Sequence, residues 1–278
     1  MNKILKTLGY LIALPFMVIL FGLRLWRINV KAKNYSVDPT LYTTEERYFF
    51  VYRFVKLALR IKRISIASSG FKKASGAPSL YIANHKSAID PLVIFKLMYE
   101  ARQTPYFRFV SKIENKKHIF RNVFTLVDTV YIDRSNVREI LKTYNEINIA
   151  KDRRSIILFI EGTRVYDLNQ LGNFMPGSLQ IAYRNNVAIT PLVMYGTVGL
   201  SKSDKTEYKN INKQIFVACL APFKPVDFIT IQTIQFADTL KELMTKEYLR
   251  IKKIVNNQFT NPNKVFDEVD KFNKDERK

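Results

Sequence analysis

The residues best suited to chemistry in this 278-residue sequence lie in one short segment, Asn84 to Pro91. A neutral imidazole can take a proton from an alcohol, while a carboxylate on its other ring nitrogen fixes the tautomer and stabilises the imidazolium that forms. His85 and Asp90 supply these two groups. On a continuous helix five residues turn through about 140°, so the two side chains would face apart. The pair therefore requires a turn, and the sequence predicts one at a strand-to-helix junction.

A structural role explains the same spacing. Ser87-x-x-Asp90 has the pattern of a helix capping box, and Asp90 before Pro91 is typical of a helix N-cap. The pair by itself leaves the chemical and the structural interpretation open.

Two later apolar runs end in arginine. Arg134 ends the run Tyr-Ile-Asp-Arg, and Arg164 ends the run Phe-Ile-Glu-Gly-Thr-Arg. Their planar guanidinium groups suit the oxygens of a phosphate. Either arginine alone could form a surface ion pair instead, but charges at successive strand ends favour one ligand site.

The residues just before Arg164 suit a bound polar ligand. Gly162 lets a ligand approach the backbone closely, since it has no side chain. Glu161 could accept hydrogen bonds from substrate hydroxyls. Thr163 completes the segment Glu-Gly-Thr, for which a plain turn is the alternative.

The elements that position these residues follow a β-α order. From about Gly70, short β-branched runs predict strands at 79–83, 108–111, 129–132, 156–160, 188–194 and 215–220. Longer periodic patterns predict helices at 91–101, 136–150, 177–185 and 240–259. This alternation predicts an α/β fold, a single layered domain with a mainly parallel sheet flanked by helices and a ligand site at the carboxyl ends of its strands.

The first 23 residues favour a membrane. Residues 7–23 carry no charge and are flanked by Lys3 and Lys6 before and by Arg24 and Arg27 after. As a helix they would extend about 25 Å, a little short of the roughly 30 Å hydrocarbon core. The sequence leaves open whether they span the bilayer or re-enter one leaflet through a kink at Pro15.

A second segment, residues 48–63, interleaves large apolar and cationic side chains. This pattern predicts an interfacial helix on an anionic membrane. The alternative is an amphipathic helix docked on the domain with its cations extended to solvent. We therefore expect membrane-associating helices at 1–66, the α/β domain at 67–260 and a polar, mobile tail at 261–278.

Composition limits the kinds of partner and cofactor that the protein is expected to bind. The chain has 45 Lys and Arg against 24 Asp and Glu, a net charge of +21, which calls for an anionic partner. Its cations are dispersed and no motif that reads nucleic acid occurs, so we expect no nucleic-acid partner. Two histidines, a single cysteine and no dinucleotide or P-loop motif predict neither a metal nor a bound cofactor. Cys219 lies in an apolar run that predicts a buried strand.

Taken in order, these motifs resemble the glycerolipid acyltransferase family, most closely its bacterial 1-acyl-sn-glycerol-3-phosphate acyltransferases. The resemblance covers residues 79–196 in four blocks. They are N-H-x-S-x-x-D at 84–90, a block ending in Asp-Arg at 131–134, E-G-T-R at 161–164 and a Pro-centred strand at 189–193. The first and third blocks are specific, whereas the second and fourth gain weight only from their order.

The resemblance implies an O-acyltransferase with His85 as general base and Asp90 as its partner. It further implies that the acceptor's glycerol phosphate binds Arg134, Glu161, Gly162, Thr163 and Arg164. Lys112 resembles the family's lysine between the first two blocks and would add to the phosphate site, although a plain surface lysine is the alternative.

From this resemblance we expect transfer of a fatty acyl group from an acyl thioester to the sn-2 hydroxyl of 1-acyl-glycerol-3-phosphate (lysophosphatidate), giving phosphatidate in phospholipid synthesis. The donor would be a thioester of acyl carrier protein or of coenzyme A. The enzyme would be held at the cytoplasmic face of the cell membrane by its N-terminal segments. One alternative is glycerol 3-phosphate or another lysophospholipid as acceptor. The other is a non-catalytic basic protein that binds membranes or nucleic acid.

Overall fold

The computed structural model describes residues 3–71, 76–101, 106–118 and 120–257. In chain order its strands are β1 (Ser65–Ser69), β2 (Leu80–Ala83), β3 (Phe107–Lys112), β4 (Val130–Ile132), β5 (Ser155–Phe159), β6 (Ile189–Tyr195) and β7 (Gln214–Cys219). Its helices are α1 (Lys3–Val37), α2 (Thr44–Ile61), α3 (Asp90–Ala101), α4 (Arg121–Leu126), α5 (Val137–Glu146), α6 (Ile149–Asp152), α7 (Gln180–Asn185), α8 (Pro225–Phe228) and α9 (Thr233–Asn257). Short 3₁₀ helices cover Ile113–Lys117 and Pro176–Leu179.

Contacts between residues divide the chain into two compact units. The helical unit comprises residues 1–64 and 114–129, and the α/β unit comprises residues 65–113 and 130–278. Residues 114–129, which the predicted boundaries assign to the α/β domain, thus pack with the N-terminal helices. The predicted tail at 261–278 lies outside the described residues.

The α/β unit is built on a mostly parallel sheet, which confirms the predicted fold class. In the described part of the chain the sheet has seven strands in the order β1-β7-β6-β2-β5-β3-β4, and only the β6–β7 pair is antiparallel. The central strand β2, of sequence LYIA, is buried at every residue. Parallel strands covered on both faces form such continuous apolar runs, which is why the sequence pattern located them.

Helices cover both faces of this sheet. One face packs against α5, α7 and α9 in a single hydrophobic cluster that includes Leu80, Leu158 and Leu240. The other face carries Phe107, whose ring lies 5.3 Å from that of Phe95 on α3. The parallel registers align the carboxyl ends of β2 and β5, because Ala83 pairs with Phe159. Segments that follow these two strands therefore start side by side.

The structure differs from the predicted elements in several places: α4 and α8 were not predicted, α9 begins at Thr233 instead of residue 240, and three further differences have a local cause. Strand β1 was not predicted, because its sequence SIASS is polar and it pairs only with β7 at the edge of the sheet. The predicted helix at 136–150 is two helices, since the Asn148 side chain accepts a hydrogen bond from the N–H of Lys151 and starts α6. The predicted helix at 177–185 begins with a 3₁₀ turn that has Pro176 at its start.

The helical unit consists of α1, α2, α4 and their connections. Helix α2 begins with a capping box, in which Thr43 and Glu46 each bond the other's backbone N–H. Buried Arg47 donates to the Leu126 carbonyl at 2.7 Å and pairs with Asp128 at 2.8 Å. Asp128 also accepts a hydrogen bond from the Tyr35 hydroxyl. This network ties α1, α2 and the segment after α4 together.

Helix α2, which covers most of the predicted interfacial segment 48–63, packs against α1 and α4 of the helical unit. Its large apolar side chains, among them Tyr48, Val51 and Phe54, are buried within the protein. Its cations, including Arg53 and Lys56, are exposed. The apolar side of α2, which the sequence pattern predicted to contact lipid, is therefore covered by protein.

Helix α1 is continuous through Pro15, so the chain forms no hairpin there. Its residues Leu8–Val37 are long and apolar enough to cross a membrane by length and composition. Large apolar side chains along it are exposed, including Ile12 (64%), Phe16 (72%) and Ile19 (63%). This one helix is a candidate membrane segment.

Candidate active site

The His85–Asp90 pair lies in the turn between β2 and α3. Strand β2 ends at Ala83 and α3 begins at Asp90, so a turn brings the two side chains together, as the spacing required. His85 Nδ1 lies 2.8 Å from Asp90 Oδ2. Because Nδ1 is bonded to the carboxylate, Nε2 is the ring nitrogen left to exchange a proton with a ligand.

Asp90 also organises the backbone of this turn. Its Oδ2 accepts hydrogen bonds from the N–H groups of Lys86 at 2.6 Å and Ser87 at 2.8 Å. The local contacts expected of a capping role are therefore present together with the bond to the imidazole. The Asp90 side chain is fully buried, whereas that of His85 is 17% exposed. The carboxylate is the inner member of the pair and the imidazole the outer one.

A phenyl ring from the neighbouring strand supports the His85 imidazole. Phe159, the last residue of β5, stacks on it with ring centroids 4.0 Å apart and planes 18° apart. The His85 carbonyl accepts a hydrogen bond from the N–H of Val165 at 2.8 Å. The ring and the backbone of His85 are thus both held by the segment that contains the E-G-T-R block.

Asn84 connects the turn to the strand on the other side of β2. Its amide nitrogen donates to the Met194 carbonyl at 2.9 Å, and its amide oxygen accepts from the Met194 N–H at 2.7 Å. The side chain is fully buried. The asparagine of the first block thus joins the end of β2 to β6. This holds the backbone in place directly before His85.

Lys86, which follows His85 in the turn, is a lysine whose side chain is buried. Its Nζ donates to the carbonyl oxygens of Asp167 at 2.7 Å and Gln170 at 2.5 Å, and lies 5.1 Å from the centre of the Tyr248 ring. Burial lowers the pKa of this ammonium group, and the negative charge of Glu161 opposes that effect. Lys86 fastens the loop after the E-G-T-R block to the turn that carries His85.

Glu161 is buried behind the turn. Within the described residues neither carboxylate oxygen has a hydrogen-bond partner of good geometry. Burial raises the pKa of Glu161 to about 7, although Lys86 and the backbone amides of Gly172 and His85 are close enough to act in the opposite direction. Because both oxygens are buried, contact between Glu161 and a substrate hydroxyl stays a prediction.

Gly162, Arg134 and Lys112 lie at the carboxyl ends of neighbouring strands. Gly162 has a φ of +67°, in the left-handed region that favours glycine. The Arg134 guanidinium, which follows β4, donates to the Gly162 carbonyl, so the second and third blocks meet. Lys112 ends β3, pairs in register with Ile132 of β4, and its side chain is exposed.

Arg164 is held by a residue that no sequence pattern indicated. Its Nη1 lies 3.3 Å from Oδ1 of Asp204 and 3.2 Å from the Ser203 carbonyl. Thr163, beside it, is exposed. Asp204 also accepts a hydrogen bond from the Ser87 hydroxyl at 2.5 Å. Arg164 is thereby connected to the turn between His85 and Asp90.

Three residues of this site were missed, and for different reasons. Phe159 appeared only as part of a strand, and Lys86 had the pattern of a surface lysine inside a motif. Asp204 lies 117 positions from Ser87 in a polar Ser-Lys-Ser-Asp segment with no distinctive pattern. No local signal marked Lys86 either, because the carbonyl oxygens that accept its hydrogen bonds lie 81 and 84 positions away along the chain.

Cys219 offers no alternative nucleophile. It is a free cysteine buried in β7, as its apolar neighbours predicted. Burial raises the pKa of its thiol to about 12, so it remains protonated near neutral pH.

Comparisons with known proteins extend these observations. The family described as Acyltransferase matches residues 65–195, which contain all the predicted site residues. A Mycoplasma genitalium protein named "Probable 1-acyl-sn-glycerol-3-phosphate acyltransferase" is 32% identical over 261 residues, covering 89% of this chain and 97% of that protein. A Mycoplasma pneumoniae protein of the same name is 31% identical, covering 88% and 93%.

The fold is also found in a solved structure. The crystal structure of the 1-acyl-sn-glycerophosphate (LPA) acyltransferase PlsC from Thermotoga maritima matches with a TM-score of 0.62 at 20% identity, covering 84% of this chain and 95% of that one. The chain belongs to the acyltransferase family. Its reaction is accordingly that of an O-acyltransferase.

Proposed function

We propose that the protein transfers a fatty acyl group from an acyl thioester to the sn-2 hydroxyl of 1-acyl-glycerol-3-phosphate, giving phosphatidate in phospholipid synthesis. The observation that carries the proposal is the His85–Asp90 pair, 2.8 Å apart, beside strand ends that supply Arg134 and Arg164. The names of the two Mycoplasma relatives support the same acceptor.

In this proposal His85 is the general base and Asp90 orients it. With Nδ1–H bonded to Asp90, Nε2 takes the proton of the sn-2 hydroxyl as the hydroxyl oxygen attacks the thioester carbonyl carbon. The carbon–oxygen bond forms, the carbon–sulfur bond breaks, and the imidazolium returns its proton to the thiolate. Asp90 stabilises the imidazolium while it exists.

The acceptor's phosphate lies between the guanidinium groups. The residues that we assign to acceptor binding are Lys112, Arg134, Glu161, Gly162, Thr163 and Arg164. Arginine binds phosphate through two parallel hydrogen bonds, which fixes orientation as well as position. Anchoring the phosphate converts binding energy into alignment of the hydroxyl with His85 Nε2.

The donor is a thioester of acyl carrier protein or of coenzyme A, and the reaction needs no other cofactor. Both donors are anionic and would approach a chain of net charge +21 favourably. The exposed apolar side chains of α1 support attachment to an anionic membrane, in which the lysolipid acceptor lies. We place the enzyme at the cytoplasmic face, where both donors occur.

An acyl-transfer assay on the purified full-length protein tests the function. The acceptors are 1-acyl-glycerol-3-phosphate, glycerol 3-phosphate and a lysophospholipid with a larger head group, each with both thioester donors. We expect phosphatidate from the first acceptor at the highest kcat/KM. A clear preference for glycerol 3-phosphate or for the larger lysophospholipid would contradict the proposal.

The same assay tests phosphate binding by Arg134. Loss of a charged hydrogen bond costs about 1.5–3 kcal/mol, so Arg134→Ala should raise the acceptor KM roughly 10- to 150-fold and leave the donor KM unchanged. Arg138→Ala is the matched control, because Arg138 is an exposed arginine on the following helix α5. An unchanged acceptor KM in Arg134→Ala would remove Arg134 from the phosphate site.

A further inference from the structure

Asp204 lies in the loop after β6, and its side chain is fully buried. Four donors converge on its carboxylate. Oδ2 accepts from the Ser87 hydroxyl at 2.5 Å and the Ser201 N–H at 3.1 Å, while Oδ1 accepts from the Ala88 N–H at 3.0 Å and Arg164 Nη1 at 3.3 Å. A carboxylate has about four acceptor positions, so this set fills them.

Two carboxylates share the turn that carries His85. Asp90 accepts from the N–H groups of Lys86 and Ser87, and Asp204 accepts from the next N–H, that of Ala88. Three consecutive backbone donors are therefore fixed from two directions. The Ser87 hydroxyl adds a fourth bond, which goes to Asp204. The position of this turn depends on Asp204 as well as on Asp90.

Asp204 also fixes the orientation of Arg164. The contacts of the guanidinium with Asp204 and Ser203 are all made by Nη1. Within the described chain, Nε and Nη2 make no hydrogen bond, and the Arg164 side chain is 30% exposed. A guanidinium held by one nitrogen keeps its Nε–Nη2 edge for a second, bidentate partner such as phosphate.

We propose that Asp204 is a positioning residue that orients Arg164 toward the acceptor's phosphate and holds the turn that carries His85. The inference rests on the proposed function, because it takes Arg164 as a phosphate ligand. One buried carboxylate then sets two distances, from the phosphate to the guanidinium and from the hydroxyl to the imidazole. Since Arg164 is already oriented before the acceptor binds, less side-chain freedom is lost on binding.

A double-mutant cycle on the full-length protein tests the link to Arg164, with 1-acyl-glycerol-3-phosphate varied at saturating donor. We expect Asp204→Ala to raise the acceptor KM about tenfold and lower kcat about tenfold, and Arg164→Ala to raise the acceptor KM about 30-fold. In the double variant the acceptor KM should stay near that of Arg164→Ala, about 30-fold above wild type, since Asp204 acts on the phosphate through Arg164. The effect on kcat should persist, because it acts through Ser87 and Ala88.

Ser87→Ala separates the two roles, since it removes one bond from the turn and leaves the contact of Asp204 with Arg164. It should lower kcat severalfold without changing the acceptor KM. Asp204→Asn preserves side-chain volume and therefore tests the inference even if the alanine variant misfolds. It should also raise the acceptor KM. Asp227→Ala is the control, because Asp227 likewise accepts a backbone N–H, from Lys224 at 2.7 Å, but does so in α8.

Two results would overturn the inference. If the KM effects of Asp204→Ala and Arg164→Ala multiply to about 300-fold, Asp204 does not act through Arg164. If Asp204→Asn lowers the acceptor KM, the carboxylate competes with phosphate for the guanidinium instead of orienting it. Wild-type protein in the same series keeps the two proposals apart, since a wild type without activity on 1-acyl-glycerol-3-phosphate contradicts the proposed function itself.

Discussion

The two units of the molecule place their apolar residues in opposite ways. In the α/β unit every residue of β2 is buried, and the strand lies at the centre of a sheet covered by helices. In the helical unit α1 exposes Ile12, Phe16 and Ile19 along one stretch of helix. Large exposed apolar stretches on a folded protein mark a surface that contacts lipid or another protein. The α/β unit buries the apolar residues of its central strand within itself. The exposed apolar side chains of α1, in contrast, are suited to contact with lipid or with another protein.

The units also differ in where they bury polar groups. The α/β unit buries Asn84, Lys86 and Asp90 within one turn and gives each a hydrogen-bond partner. The helical unit buries one such group in its α2, Arg47, and pairs it with Asp128. Buried polar groups are costly unless they are bonded, so they occur where a fixed geometry is needed. This difference indicates that chemistry belongs to the α/β unit and attachment to α1.

The largest expected effect is the loss of membrane association when charges are placed on α1. Lysine at the centre of a membrane helix is about 3 kcal/mol less favourable than isoleucine, so the pair Ile12→Lys and Ile19→Lys should weaken membrane association by about 6 kcal/mol. Flotation of the full-length variant with anionic vesicles measures this, and we expect the protein to stay in the soluble fraction.

The matched control places the same change in the other unit. Val226→Lys and Ile234→Lys replace two exposed apolar side chains of the α/β unit. This control should float with the vesicles as wild type does. If the α1 variant also floats, α1 is not the membrane anchor and the contrast between the two units fails.

The next largest effect is a difference in kcat between alanine variants of the two histidines, one of which lies in each unit. His85→Ala removes the general base, a loss of about 10²–10⁴-fold in kcat, or about 3–5 kcal/mol. His118 is exposed in the helical unit and accepts a hydrogen bond from the Phe120 N–H at 3.2 Å. His118→Ala should therefore keep wild-type kcat. Turnover of His85→Ala at a comparable rate to His118→Ala would end the general-base assignment, provided that both variants bind vesicles equally.

The contrast also shows which features a sequence can reveal. Continuous apolar runs such as LYIA located the buried strands, and the position of His85 and Asp90 at a strand end located the turn. These features are local, since they depend on the order of neighbouring residues. Strand β1 was missed because an edge strand needs few apolar residues.

Contacts between distant segments could not be predicted in the same way. Asp204 meets Ser87 across 117 positions, and Lys86 reaches the Asp167 carbonyl across 81. A polar residue carries no local mark that it will be buried, because burial is decided by what the fold brings against it. The carboxyl group of Glu161, predicted as a substrate contact, is buried for the same reason.

The smallest effect concerns the stability of the α/β unit and depends on Glu161. Its pKa is raised from 4.5 to about 7 by burial. Below pH 4.5 the carboxyl is protonated in both the folded and the unfolded chain and brings no penalty. Between pH 4.5 and 7 the unfolded chain releases this proton while the folded chain retains it, so stability falls by about 3 kcal/mol as the pH rises.

Glu161→Gln should remove this part of the pH dependence. At about 2–4 °C per kcal/mol, the wild-type Tm should fall roughly 6–12 °C further than the variant's between pH 4.5 and 8. Glu207→Gln is the control, because Glu207 is exposed in the loop that contains Asp204 and should keep the wild-type dependence. Equal slopes in all three proteins would mean that the Glu161 carboxyl is hydrated in solution and that burial does not raise its pKa.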